Sequence, residues 1–290
     1  MNELCAKGNR LATVAENLHT GAGRLKGLSE SPRLDAEMLL GKVLGWSRSA
    51  LFARGNETVT SECQTRYGDL LQQRMKGAPV AYLTGVREFW SLQLTVNPEV
   101  LVPRPETELL VERALQLLPA DRPCSVLDLG TGSGAIALAI ASERPAARVT
   151  GVDISPGALA VAVQNSRHLG CANVDWQLGS WFDTVGVARF DLIVANPPYV
   201  AAADPAMVSL AAEPAIALSS GPTGLEALCA IAADAPRHLT DGAWLLLEHG
   251  SGQGADVARL LHRHGFSRVE TLLDLSAKPR VTLGTVHPQH

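Results

Sequence analysis

Along the first 76 residues, apolar positions recur at helical spacing. In SPRLDAEMLLGKVLG (31–45), Leu34, Met38, Leu39 and Leu44 mark one such stretch. Ser31 stands where a helix cap belongs, and Pro32 takes the first helical position. SECQTRYGDLLQQRMKG (61–77) repeats the pattern, with Gly77 as a stop. Helices are expected from residue 3 onward, as a small bundle over residues 1–78. The pattern then changes. PVAYLTGVREFWSLQLTVNPEVLVP (79–103) contains FWSLQLTV, which alternates apolar and polar residues at the period of a strand. A β-hairpin over 79–104, linking two domains, is predicted.

From residue 105 to 290 helical and strand patterns alternate. The helix ETELLVERALQLL (106–118) leads into seven predicted strands, at 125–130, 147–154, 174–179, 190–196, 242–249, 266–274 and 280–286. Strands separated by helices predict an α/β fold: a doubly wound, mostly parallel, Rossmann-like sheet with helices on both faces. The last two strands are joined by a short, proline-containing link, which suits an antiparallel pair at one edge.

Composition narrows the class. Hydrophobic residues make up 46% of 290 and charged residues 19%, enough for a sizeable core. The apolar runs are too short to span a bilayer, and the first residues mix charge through their apolar positions, unlike a secretion signal. A cytoplasmic protein with no membrane partner is expected. Cys5, Cys63, Cys124, Cys171 and Cys229 are scattered without a C-x-x-C pair, which argues for reduced thiols and against a zinc site. His262 and His264 lack partners at metal spacing, so no metal is expected. Net charge is −4, with eleven Lys/Arg against eight Asp/Glu in residues 1–80 and fourteen against twenty-one after that. No basic run suggests a nucleic-acid face, and direct sequence-specific contact with nucleic acid is not expected.

LDLGTGSGAIALAIA (127–141) reads as strand, glycine turn and helix. Gly130, Gly132 and Gly134 let the backbone turn tightly and bring a ligand close to its N–H groups. Gly130, Gly132 and Ala135 also fit the dinucleotide fingerprint. Asp153 ends the next strand, where a carboxylate can accept both hydroxyls of a ribose. Either adenosine cofactor satisfies this pair. Asp128, just before the turn, suits an ammonium or sulfonium better than a pyrophosphate, and so favours S-adenosylmethionine.

A second signal supports that choice. DLIVANPPYV (191–200) runs a buried strand into two residues that cannot donate a backbone hydrogen bond. Asn196 offers a side-chain oxygen and Pro197 a free carbonyl, two acceptors for one planar NH₂ group. Holding both hydrogens aims the nitrogen lone pair at a bound methyl group. Pro197 and Pro198 stiffen the turn, and Tyr199 is placed to stack on a flat substrate group. A carboxamide, adenine N6, cytosine N4 or guanine N2 would each fit, and these four residues do not choose.

VLDLGTGSGAIALAIA, GVDISPGALAVAVQN and FDLIVANPPYV together resemble a class I S-adenosylmethionine-dependent methyltransferase that methylates amino groups. PVAYLTGVREFW, LVPRPETELLVE, EPAIALSSGPTGLEAL and LLLEHGSGQGADV narrow the resemblance to the peptide chain release factor glutamine methyltransferase family (PrmC/HemK). The resemblance implies methyl transfer to the side-chain amide nitrogen (N5) of the glutamine in a release factor's Gly-Gly-Gln motif. It implies that Gly130, Thr131, Gly132, Ser133 and Gly134 hold the cofactor's methionine end, Asp153 its ribose and Trp181 its adenine. It further implies that Asn196 touches cofactor and substrate, that Pro197, Pro198 and Tyr199 line the glutamine slot, and that residues 1–78 grip a bacterial-type release factor. Other readings are glutamine methylation of a ribosomal protein, amino-methylation of a nucleic acid base, a non-catalytic adaptor and a nicotinamide dehydrogenase. Arg104 and Glu106 fit a crevice wall or a helix start equally, while Glu248 and His249 read as structural.

Overall fold

The structure, a computed structural model, describes residues 11–286; Cys5 and the start of the expected helical region lie outside them. The chain divides into two compact units, one through Gly85 and one from Val86.

The first unit holds α1 (Val14–Leu25), α2 (Pro32–Leu44), α3 (Arg48–Ala53), α4 (Ser61–Met75) and α5 (Val80–Thr84). Thr13 and Glu16 close a capping box on α1, each side chain bonding the other's backbone N–H, at 3.2 and 2.7 Å. Pro32 opens α2, and Gly45 ends it at φ 67°. Ser31 occupies the cap position without capping; the Ser29 hydroxyl instead accepts from its N–H and donates to Asp35. The buried stripe of α2 differs from the predicted one. Leu39 is buried, but with Ala36, Leu40 and Val43, while Leu34, Met38 and Leu44 reach the surface in part. Apolar residues ring this helix, so spacing alone does not fix which side faces the core. The core adds Val14, Leu18, Leu25, Leu51, Tyr67 and Leu71. Asp35, almost buried, takes Arg74 of α4 at 2.8 Å.

The second unit opens with an antiparallel hairpin, β1 (Val86–Phe89) and β2 (Leu92–Thr95). The hairpin occupies 86–95 of the expected 79–104 span, whose start is helical α5. Its turn falls inside the FWSLQLTV alternation. Trp90 (φ 51°) and Ser91 (φ 57°) both adopt the left-handed conformation usual for Asn-Gly turns. Trp90 is tied down: its N–H donates to Glu108 and its indole to Glu143, at 2.9 and 3.0 Å. Asn165 further binds the Thr95 N–H and carbonyl, fixing the hairpin to this unit.

After the hairpin come α6 (Glu108–Leu117), β3 (Cys124–Leu129), α7 (Ala135–Glu143), β4 (Ala147–Asp153), α8 (Pro156–Leu169), β5 (Val174–Leu178) and β6 (Phe190–Ala195). Then follow α9 (Ala206–Ser209), α10 (Ala215–Leu218), α11 (Glu226–Asp234), β7 (Leu239–Glu248), α12 (Gly254–Arg263), β8 (Phe266–Leu273) and β9 (Pro279–Val286). The seven-stranded sheet runs β5-β4-β3-β6-β7-β9-β8, parallel except where β9 lies antiparallel to β7 and β8. Neighbouring strand residues point to opposite faces, so each strand feeds two cores. Val126, Leu192 and Leu246 pack with α6 and α7, while Leu127, Ile193 and Leu245 pack with α11 and α12. The chain starts the sheet at β3, builds outward through β4 and β5, and returns to β6 on the other side of β3. That reversal opens a crevice at the carboxyl ends of β3 and β6. The glycine turn leaves one of these strands and Asn196 the other.

Candidate active site

The glycine turn is anchored to the end of β4. The N–H groups of Gly130 and Thr131 both donate to the Val152 carbonyl, at 2.9 and 3.0 Å, and that of Gly132 to Asp153 Oδ2 at 2.8 Å. The Gly134 N–H closes the turn on Thr131 O. Gly130, Gly132 and Gly134 all have φ between 57° and 80°, the left-handed region that favours glycine. The sequence suggests N–H groups open to a ligand, but those of Gly130, Thr131, Gly132 and Gly134 are taken within the protein. A turn with so few free donors is poorly equipped to cradle a pyrophosphate.

Asp128 lies beneath the turn. It is fully buried, and its Oδ2 accepts from the Thr131 hydroxyl at 2.6 Å and the Ala137 N–H at 3.2 Å. Burial pushes its pKa up to about 7, against the hydrogen bonds from Thr131 and Ala137. It does not reach the crevice wall. The sequence-based argument from its charge therefore fails, and Asp128 ties β3, turn and α7 together.

Asp153 does face the crevice. Its oxygens accept from the N–H groups of Gly132 and Ser155, at 2.8 and 2.9 Å. Burial raises its pKa, opposed by those backbone N–H groups. Trp181, at φ 45°, is an uncommon left-handed non-glycine residue beside Gly130. Trp176, unmarked by the sequence reading, backs the turn. It pairs in register with Gly151, where a Cβ would stand 2.5 Å from its ring. A glycine inside a strand is the signal that foretells such an approach.

At the end of β6, Asn196 Nδ2 donates to the Thr107 hydroxyl oxygen at 3.2 Å, which leaves Oδ1 for the crevice. The chain after Asn196 is clamped from behind. Gln253 donates to the Tyr199 carbonyl at 3.1 Å and accepts from the Gly250 N–H at 2.8 Å. Gly224 packs so closely on Tyr199 that a Cβ would lie 2.4 Å from its carbonyl oxygen. The Tyr199 hydroxyl points to Glu248 Oε1 at 3.5 Å. Burial raises the tyrosine's pKa, reinforced by that carboxylate. Glu248 is itself buried, which pushes its pKa up to about 7. His249 is held by Gly250 O and the Thr282 hydroxyl, and burial lowers its pKa.

These elements enclose a cavity of about 430 Å³. Gly130, Thr131, Gly132, Ser133, Asp153, Trp181, Asn196 and Pro198 all line it. Gly134, Pro197 and Tyr199 do not: Gly134 turns toward Trp176, Pro197 is buried, and Tyr199 faces Glu248. Sequence reading missed Leu101, Thr107, Ile154 and Ile216 on the wall. Arg104 pairs with buried Glu213, which also accepts from the Val102 N–H, so that pair secures the stretch beside the cavity.

Among the described residues, Cys63, Cys124, Cys171 and Cys229 are free thiols, and no cluster of three or more His, Cys, Asp or Glu is placed to hold a metal ion. No helix among them is long and apolar enough to cross a membrane.

A mostly parallel sheet with this switch point, glycine turn and acid at the next strand end is the Rossmann-like frame of an enzyme that uses an adenosine cofactor. A methyltransferase domain is matched over residues 120–225 and a PrmC N-terminal domain over 16–85. The fold is shared with a methyltransferase from Pyrococcus furiosus, at a TM-score of 0.52 and 17% identity over 68% of this chain and 89% of that one. Sequence similarity is far greater to the release factor glutamine methyltransferase of Salmonella typhimurium, 47% identical over 93% of this chain and 98% of the relative. The Escherichia coli protein of the same description is 45% identical over 88% and 93%. The chain belongs to the release factor glutamine methyltransferase family.

Proposed function

We propose that the protein transfers a methyl group from S-adenosylmethionine to the side-chain amide nitrogen, N5, of the glutamine in the Gly-Gly-Gln motif of bacterial-type release factors. The observation that carries this reading is Asn196, held by Thr107 with its oxygen toward a cavity that Asp153 and the glycine turn also line. Glutamine N5 in a ribosomal protein offers the same chemistry. The 47% identity across nearly the full length of a release factor enzyme favours the release factor.

The residues present suit the cofactor. Asp153 is positioned to accept ribose hydroxyls, Trp181 and Ile154 offer apolar surface for an adenine, and the glycine turn from Gly130 to Ser133 leaves room for the methionine end. Bound there, S-adenosylmethionine supplies a methyl group on a positively charged sulfur. Asn196 Oδ1 accepts from the glutamine NH₂ and turns its lone pair toward the methyl. Pro198 forms the adjoining wall. Tyr199 buttresses this turn from behind. Orientation of this kind supplies several kcal/mol of a barrier. The nitrogen needs no base before attack, because its proton leaves once it carries the positive charge. Gly134 serves the turn's shape through Trp176.

The N-terminal helical unit is the release-factor grip in this reading, as the family resemblance implies. No membrane or sequence-specific nucleic acid is needed, and the reaction belongs to the cytoplasm. Mass spectrometry of a release factor incubated with enzyme and cofactor tests the reading. One added methyl on the Gly-Gly-Gln glutamine is expected; an unmodified glutamine, or a methyl elsewhere, overturns it.

A further inference from the structure

The segment from residue 203 to 217, beyond the Asn196 turn, has almost no anchor of its own. Glu213 is its one buried residue; the others are exposed or half-buried. Among the described residues, the segment's hydrogen bonds stay within residues 201–219, again except at Glu213. Yet the segment shapes the cavity. Ile216 and Ala217 line it, as do Val100, Leu101 and Pro103 of the stretch ahead of α6. Glu213 joins the two. Its Oε2 accepts from the Val102 N–H at 3.0 Å, and its Oε1 pairs with Arg104 Nη2. Both oxygens are therefore used, with the Glu213 side chain only 4% exposed. These bonds join positions more than 100 residues apart. A carboxylate this deeply buried is stable only with such partners, so losing one favours its return to water, and the segment must move with it.

We infer that Glu213 is a positioning residue, a latch that holds segment 203–217 against residues 100–104 and so sets the affinity of the cavity for S-adenosylmethionine. The inference rests on the cofactor reading of that cavity. Glu213 is not part of the cavity lining; it acts through Ile216 and Ala217 on one side and through Leu101 and Pro103 on the other. A segment held at one buried point has two states, latched and open, and segments with few buried contacts are those that open locally. Only the latched state has both walls in place, so apparent affinity falls in proportion to the latched fraction.

Calorimetry of S-adenosylmethionine binding and amide hydrogen exchange, both on the full chain with wild type alongside, test this. Glu213→Ala should raise the Kd about 10- to 100-fold, as expected if only a tenth to a hundredth of the molecules stay latched. Exchange should quicken across 200–219 and stay slow in β3 and β6. Saturating cofactor should slow it again, because bound cofactor selects the latched state. Glu213→Gln keeps an oxygen for the Val102 N–H but loses the ion pair, so its Kd should fall between wild type and Glu213→Ala. Arg104→Met strands the buried carboxylate and should weaken binding as Glu213→Ala does. Adding Glu213→Gln to Arg104→Met removes that charge and should recover part of the affinity. A Kd for Glu213→Ala within about threefold of wild type would overturn the inference. So would exchange that quickens equally in β3 and β6, or a double variant weaker than Arg104→Met alone. Variant-to-wild-type ratios judge the latch; wild-type affinity for S-adenosylmethionine separately judges the cofactor reading.

Discussion

At the scale of single residues, the site depends on which atoms face the cavity. Asn196→Ala removes the oxygen that orients the amide but nothing that packs the sheet. It should keep the thermal midpoint and most cofactor affinity while kcat falls by at least about 100-fold. Near-normal turnover would remove Asn196 from the mechanism. Asp128 shows the cost of reading charge from sequence. The carboxylate is where the pattern predicts, but burial and two hydrogen bonds give it to the turn. Its folded pKa, raised to about 7, lies above that of an ordinary carboxylate. The unfolded chain therefore releases this proton first, and the group's stabilising contribution declines as pH rises toward 7. Asp128→Asn cannot ionise, so its thermal midpoint relative to wild type should improve between about pH 4 and pH 7. A constant difference across that window would contradict the assignment.

At the scale of elements, periodicity recovers much but not all. The seven strands and the antiparallel edge are legible because buried parallel strands read as short apolar runs between turn signals. The hairpin turn at Trp90 and Ser91 is not, since neither residue is a usual left-handed turn former; bonds to Glu108 and Glu143 hold Trp90. The true face of α2 is hidden because apolar residues surround it. The loop after β6 shows how elements share a task. Gly224 precedes α11 at φ 75°, pressed against the Tyr199 carbonyl. Gly224→Ala combines backbone strain with a clash and should cost about 1–3 kcal/mol. It should also lower kcat by shifting the turn that carries Asn196. An unchanged thermal midpoint and kcat would show that the contact can relax.

At the scale of the whole molecule, the glycine turn and Asn196 were legible because each follows a strand at the switch point, and Asp153 because it ends the neighbouring β4; Trp181, after the edge strand β5, came only from the family resemblance. Thr107 was not legible, because its contact with Asn196 joins positions 89 residues apart that no local pattern encodes. In the proposed reading the crevice takes an NH₂ on a planar group, and the family to which the chain belongs narrows that to a release factor glutamine. The most direct test is transfer of radiolabelled methyl from S-adenosylmethionine. Unmethylated release factor, its Gly-Gly-Gln glutamine→Ala variant, a ribosomal-protein fraction and DNA would be compared side by side. Label on the release factor that disappears with the glutamine is the predicted result. Label on DNA or the ribosomal fraction, with none on the release factor, would contradict it.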